Sequence, residues 1–155
     1  MSAQVVPCGP ERAGDVHRLT QAAFERHRTL DPPSGAGRES LEHVHEDLAA
    51  GGGAIAELDG RPVGCLRWTV APSGDLHVRR VAVEPGRQGR GLGRVLMAWA
   101  EDEARRRGCG AVSVGVRIAL PGNLAFYRAL GYEVVDEHRH DGYEQPTWLS
   151  LRKRL

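Results

Sequence analysis

The run Arg87-Gln88-Gly89-Arg90-Gly91-Leu92-Gly93-Arg94 is composed to hold an anion. It joins a strand-like segment, Leu76 to Val83, to a helix-like segment that begins near Leu92. Glycines strip side chains from the turn, so successive backbone N–H groups can face outward at the positive end of a helix dipole. Phosphate oxygens suit such a turn, and Arg87, Arg90 and Arg94 add charge for a pyrophosphate. Spacing then excludes two common ligands. A dinucleotide fold requires G-x-G-x-x-G after its first strand and an acidic residue about 20 positions on, whereas these glycines stand at 89, 91 and 93 in mid-chain. A nucleoside-triphosphate loop requires G-K-[ST], and no lysine occurs before Lys153. What remains is Gln88-x-x-Gly91-x-Gly93 preceded by Val81-Ala82-Val83-Glu84-Pro85.

A second block carries chemistry of a different kind. Asn123-Leu124-Ala125-Phe126-Tyr127-Arg128-Ala129-Leu130-Gly131-Tyr132 places Asn123 and Tyr127 four residues apart, on one helix face, with Gly131 as the stop. The glycine run resembles the coenzyme A pyrophosphate loop of the GCN5-related N-acetyltransferase (GNAT) superfamily. The second block is similar to that superfamily's N-x-x-A-x-x-[FY]-Y-x-x-x-G-[FY] region, with a slip of one residue. The two occur in the superfamily's order, about 30 residues apart, and the likeness extends from Val5 to Leu151.

The resemblance implies acetyl-coenzyme A as acetyl donor, its pyrophosphate held at Gln88, Gly89, Arg90, Gly91, Leu92, Gly93 and Arg94, and its pantetheine arm laid along Val81 and Val83. It also implies a main-chain N–H that polarises the thioester carbonyl, best matched by Val83, and a tyrosine that protonates the departing thiolate, matched by Tyr127. Gly115 would leave room between the splayed central strands. Some histone-type members carry a glutamate base at the position held here by His77, whose imidazole could accept an ammonium proton; Glu84 is the second candidate. Each assignment has a plainer counterpart. Tyr127 could be a core aromatic with its hydroxyl tied to backbone, His77 a cross-strand partner, and Asn123 a helix N-cap beside its pantetheine role. Substrate contacts are expected from Arg28 to Arg38 and from His138 to Tyr143, with Arg28, Arg117, His140 and Tyr143 as candidates and Arg117 as a carboxylate anchor.

Periodicity supplies the elements that position these groups. A strand is expected at Gln4 to Cys8, and a helix from Glu11 to about His27 with Val16, Leu19, Ala23 and Phe24 at helical spacing. Leu30 to Gly37 reads as a loop, and Glu39 to Ala50 as a helix with Leu41, Val44 and Leu48 on one stripe. Strands Ala54 to Leu58 and Pro62 to Val70 flank the hairpin signal Asp59-Gly60, and Leu76 to Val83 completes a meander. The helix after the glycine loop buries Leu92, Val95, Leu96, Trp99 and Ala100, and a strand at 111 to 117 must run parallel to the one before the loop. A helix from Gly122 to Leu130 and strands Tyr132 to Glu137 and Thr147 to Arg152 follow. The fold class is α+β: a mixed, mostly antiparallel seven-stranded sheet, its central parallel strands splayed, flanked by about four helices.

Bulk properties bound the function. At 155 residues the chain has the length of one domain, spanning 1–155, and 41% hydrophobic with 26% charged residues is ordinary globular usage. Net charge is +1 from 21 basic and 20 acidic side chains, which offers no electrostatic case for nucleic acid or membrane partners. Cys8, Cys65 and Cys109 lack metal or redox spacing and read as reduced thiols of a cytoplasmic protein. His43-Val44-His45 and His138-Arg139-His140 lack a third ligand at clear spacing, so no metal is expected. The resemblance implies an acyltransferase acting on a primary amine of a small or amino-acid-like molecule, with a homodimer in reach. A protein lysine or N-terminal amine as acceptor, and an acetyl-coenzyme A sensor without turnover, stand as the other readings.

Overall fold

Asp59 and Gly60 both adopt positive φ, 52° and 76°, the twist a two-residue hairpin demands. The hairpin they close belongs to a seven-stranded sheet in the computed structural model, which describes residues 2–155. In chain order the elements are β1 (Gln4–Cys8), α1 (Ala13–Phe24), α2 (Leu41–Ala50), β2 (Gly52–Leu58), β3 (Arg61–Val70), β4 (Leu76–Val83), α3 (Leu92–Arg106), β5 (Ala111–Arg117), α4 (Pro121–Ala129), β6 (Glu133–His138) and β7 (Trp148–Arg154). Short 3-10 turns at Pro10–Arg12 and Glu25–His27 extend α1 at both ends, and a third at Gly35–Arg38 lies within the expected loop. The sheet order is β1-β2-β3-β4-β5-β7-β6, and the central β4–β5 pair is parallel while every other pair is antiparallel.

Helices cover both faces. Residues of α3, with Leu92, Leu96, Met97, Ala100 and Ala104 fully or nearly buried, pack with Val112, Val114, Val116 and Leu151 in one core. On the opposite face Val16, Leu19 and Ala23 of α1 meet Val44 and Leu48 of α2 over Ile55, Cys65 and Ala82. Two expected core positions are surface: Leu41, 51% exposed at the first turn of α2, and Val95, 39% exposed, whose place is taken by Met97. The glycines at 52 and 53 extend β2 by two residues beyond expectation; a Cβ at Gly52 would come within 2.5 Å of the Trp68 ring and one at Gly53 within 2.7 Å of Leu48 Cδ2.

Two irregularities open the sheet at its centre. Pairing between β4 and β5 covers only Leu76 with Val112, His77 with Ser113 and Val78 with Val114, after which the strands separate. In the same place β4 carries a bulge: Cys65 opposes Ala82 but Arg67 opposes Arg79, leaving one extra residue, and Arg80 adopts φ +53°. An extra residue reverses the facing of everything after it. Hence Leu76 and Val78 face the α3 core, but beyond the bulge Val81 and Val83 pack there while Ala82 turns to the α1–α2 core.

Candidate active site

Splaying and bulge together create one cleft with two halves. The first, about 530 Å³, lies against the glycine turn and is lined by Val81, Val83, Gln88, Gly91, Gly93 and Arg94 among others. The second, about 500 Å³, lies under the segment between α1 and α2 and reaches Arg38, His77, Arg80, Gly115, Arg117 and His140. Phe24, His27, Val81, Asn123 and Tyr127 border both, so the halves join there.

Backbone conformation gives the first half the shape of an anion cradle. Gly89 and Gly91 adopt φ +78° and +84°, a region other residues enter at a cost, and Gly91 is the N-cap of α3 without a side-chain cap. The first intrahelical bond runs from Val95 N to Gly91 O at 3.1 Å, so the amides ahead of it keep free donors at the positive helix end. Gly93 serves differently: a Cβ there would sit 3.2 Å from Cζ of Phe126, so its lack of a side chain lets α4 dock on α3. Val83 O accepts a 3.2 Å bond from Gln88 Nε2, and Glu84 N donates to Val63 O. By strand alternation the N–H of Val83, and that of Val81, face the gap left by β5.

The expected charges divide. Arg94 borders the cleft; Arg87 does too, but its Nε donates to Glu84 Oε2 at 2.9 Å. Arg90 is exposed and lies outside the lining. Glu84, the second candidate base, lines neither half and is held by Arg61 and Arg87; burial raises its pKa, but these two partners outweigh that and hold it below the ordinary value.

Tyr127 stands where the halves meet. Its ring is T-shaped to Phe126 at 4.9 Å and to Tyr132 at 5.8 Å, and burial lifts its phenol pKa above the ordinary value, so it is protonated at neutral pH. Tyr132, its neighbour, donates to Glu101 Oε2 at 3.0 Å, whereas the Tyr127 hydroxyl has no protein partner among the described residues. A hydroxyl tied to backbone is therefore not what the fold contains. Asn123 is not the N-cap of α4 either: Leu120 occupies that position, and Asn123 is the third helical residue, its side chain at the junction. The helix begins at Pro121 because proline suits the first turn.

His77 is both cross-strand partner and cleft residue. Its Nδ1 lies 2.9 Å from Ser113 Oγ, and burial followed by the charge of Arg79 lowers its pKa below 6.5, leaving the ring neutral at pH 7. Among the substrate candidates, Arg117 and His140 line the second half, with Arg117 bonded to Pro32 O. Arg28 does not; it is exposed and paired with Glu25 at 2.8 Å. Tyr143 lies off the lining, but its hydroxyl donates to Asp31 and so ties the β6–β7 loop to the segment between α1 and α2.

Sequence reasoning missed four contributors. His27, on the 3-10 turn after α1, borders both halves; Arg79 and Arg80 reach the second half from the bulge; Trp148 stacks on His138 at 3.9 Å and forms part of the wall. Behind the wall a buried ion network holds the bulge: Glu39 takes Arg67 at 2.7 Å and Arg80 at 3.5 Å, and Asp47 takes Arg67 at 3.0 Å as well as Arg79. Glu39, His43 and Asp47 also form a cluster with metal-ligand reach, but both carboxylates are engaged by these guanidiniums.

Residues 16–132 match the Acetyltransferase (GNAT) family. The chain is 33% identical over 109 residues to the N-alpha-acetyltransferase RimI of Mycobacterium tuberculosis, covering 70% of this chain and 65% of that one. Over 93 residues it is 32% identical to the L-methionine sulfoximine/L-methionine sulfone acetyltransferase of Salmonella typhimurium, covering 60% and 50%. It spans half or less of several curated relatives, among them 38% of the probable N-acetyltransferase 14 of Danio rerio, to which it is 33% identical over 62% of its own length. Two solved structures share its fold: a PaiA N-acetyltransferase of Thermoplasma acidophilum in complex with coenzyme A, at TM-score 0.82, 15% identity and 100% coverage of both chains, and the ribosomal-protein-S18-alanine N-acetyltransferase of Escherichia coli, at TM-score 0.79, 17% identity and 98% and 93% coverage. A family match over most of the length, on a sheet that opens where an uncapped helix and an unpartnered tyrosine converge, leads to one conclusion: the chain belongs to the GNAT acetyltransferase family.

Proposed function

We propose that the protein is an acetyl-coenzyme A-dependent N-acetyltransferase whose acceptor is a small primary amine of amino-acid-like size. One observation carries the reading: an anion cradle and a separate acceptor chamber share a junction at Val81, Asn123 and Tyr127. When bound, acetyl-coenzyme A supplies an activated acyl group that an amine takes with loss of a thiolate. The cradle suits its pyrophosphate, since Gly91 and the first turn of α3 present free amides and Arg94 adds charge. The unpaired edge of β4 offers Val81 and Val83 for strand-like bonds to the pantetheine arm.

In the transfer, the amine nitrogen bonds to the thioester carbonyl carbon and the carbon–sulfur bond breaks. The Val83 N–H, with that of Val81, polarises the carbonyl. Neutral His77 accepts the proton that the ammonium or the attacking amine gives up, and Tyr127 returns a proton to the thiolate. The relative from Salmonella typhimurium, named for an amino-acid-like acceptor, supports a small substrate. So do the bonds Tyr143 to Asp31 and Arg117 to Pro32, which tie the segment between α1 and α2 to β5 and to the β6–β7 loop beside the chamber. Likeness to RimI favours a protein α-amine as the second reading. The free, buried cysteines fit work in a reducing, cytoplasmic compartment.

Calorimetry with acetyl-coenzyme A, followed by thiol release across a panel of amines, tests the proposal. Binding with turnover of a small amine is the expected result. Tight binding without turnover of any amine would leave a sensor, and turnover of peptides alone would move the acceptor to protein.

A further inference from the structure

The acceptor half of the cleft is lined by Arg38, Arg79, Arg80 and Arg117, and no carboxylate is among its lining residues. Behind it, Glu39 and Asp47 serve Arg67, Arg79 and Arg80. Asp31, on the roof, is bonded to Tyr143. These five guanidiniums face three carboxylates, an excess of two positive charges around a chamber of about 500 Å³. Arg38 and Arg117 make no ion pair with any described residue, and the Nε atoms of Arg79 and Arg117 are buried without a hydrogen-bond acceptor, while that of Arg80 has Glu39 Oε1 at 3.5 Å. Guanidiniums thus outnumber carboxylates around the chamber. Orphaned buried donors of this kind call for a ligand that accepts.

We propose that the acceptor is an amine that itself carries a carboxylate, which Arg117 and Arg38 read while the amine lies toward His77 and Tyr127. This rests on the acetyl-transfer function above and adds to it the charge of the substrate. A guanidinium matches a carboxylate with paired donors, and the half-buried setting of Arg117 strengthens the contact. The same field repels polyamines and lysine-rich peptides, and it favours the neutral form of the amine that must attack. Burial lowers the pKa of Arg80; Glu39 and Asp47 oppose that shift, and Arg67 and Arg79 add to it.

The test compares matched trios: α-amino acids, their carboxamides and the corresponding decarboxylated amines, with spermidine and a lysine-rich peptide alongside. Thiol release from acetyl-coenzyme A is expected to show kcat/KM for the acids at least about tenfold above that for the amides. R117Q and R38Q should each bring that ratio down toward one, with R117K restoring part of it. Arg38 is exposed at the end of a 3-10 turn, so R38Q retains the fold, and calorimetry with acetyl-coenzyme A reports folding of every variant. Independently of turnover, saturation-transfer NMR on coenzyme A-loaded protein should show N-acetylated amino acids bound, their amides unbound, and the acid signal lost in R117Q. Equal handling of acids and amides, preference for spermidine, or a ratio unmoved in both variants overturns the inference while acetyl transfer stands. Selective binding of acids without turnover of any amine would instead sustain the inference and remove the transfer function.

Discussion

Replacing Tyr127 with phenylalanine isolates the proton that transfer requires. The ring contacts with Phe126 at 4.9 Å and Tyr132 at 5.8 Å do not involve the hydroxyl, which has no protein partner among the described residues. Loss of the oxygen should therefore leave unfolding free energy within about 0.5 kcal/mol of wild type and leave acetyl-coenzyme A affinity in place. What disappears is the proposed donor. Positioned acids contribute about 10²–10⁴ in rate, or about 3–5 kcal/mol of barrier, and kcat at saturating donor and acceptor should fall by that factor. Because burial raises the phenol above its ordinary pKa, the wild-type rate should show no loss from its ionisation up to about pH 10. Thiol release followed by a disulfide dye, beside urea unfolding of both proteins, supplies the numbers. A folded Tyr127→Phe enzyme with kcat within about threefold of wild type would show that water protonates the thiolate, and the role would be withdrawn. A stability loss large enough to account for the slower rate would assign the hydroxyl to structure.

Other perturbations separate the remaining parts. His77 is held below pH 6.5 by burial and Arg79, so kcat should rise with pH along an acidic limb below that value and level off above it. His77→Gln should lower the plateau and abolish the limb; a limb kept there but lost in His27→Gln would transfer the base to the histidine at the cleft junction. Glu39→Gln strips one partner from Arg67, which is 1% exposed, and should cost about 3–5 kcal/mol in urea unfolding at pH 7. Burial raises the Glu39 pKa, but Arg67 outweighs it and holds the carboxyl below 4.5; its contribution is thus complete above that value and lost as pH falls through the lowered one. The difference between wild type and variant should narrow only below pH 4.5, and an unchanging difference would contradict the pairing. Gly91→Ala forces a side chain into φ +84° and should cost about 1–2 kcal/mol. It should also raise the KM for acetyl-coenzyme A, and a variant with unaltered KM would show that the turn is not the cradle.

What could be read from the chain was what lies close together along it. The glycine turn announces itself because Gly89 and Gly91 need their φ values for reasons local to the loop. Tyr127 and Asn123 come as a pair because one helix face carries both. The hairpin at Asp59-Gly60 and the β4–α3–β5 crossover follow from equally short-range rules. Where expectation failed, a distant partner decided. Asn123 was open to a capping role until the helix proved to start at Pro121, and Val95 lost its core place to Met97 because the buried stripe of α3 runs through Leu92, Leu96, Met97, Ala100 and Ala104. Arg28 and Arg90 have the right charge in the right segments, yet their side chains lie off the cleft, since position in a loop does not determine aim.

The bulge is the deepest of these cases. Alternation in Leu76 to Val83 breaks at the doublet Arg79-Arg80, yet two adjacent polar residues do not by themselves specify a bulge, and an arginine is a poor candidate for φ +53°. That conformation costs of order 1–3 kcal/mol and persists where surrounding contacts over-determine it. Here those contacts come from Glu39, just ahead of α2, and from the Arg67 and Asp47 pairs that fix β3 and α2 beside it. The reversal of facing at Arg80 is what makes one strand serve two chambers. His77 and Arg79, ahead of it, line the second half alone; Val81 and Val83, after it, turn to the α3 core, Val81 bordering both halves and Val83 the first. A regular strand would present all four residues to one side of the sheet, and Val81 and Val83 would not join Leu76 and Val78 in the α3 core.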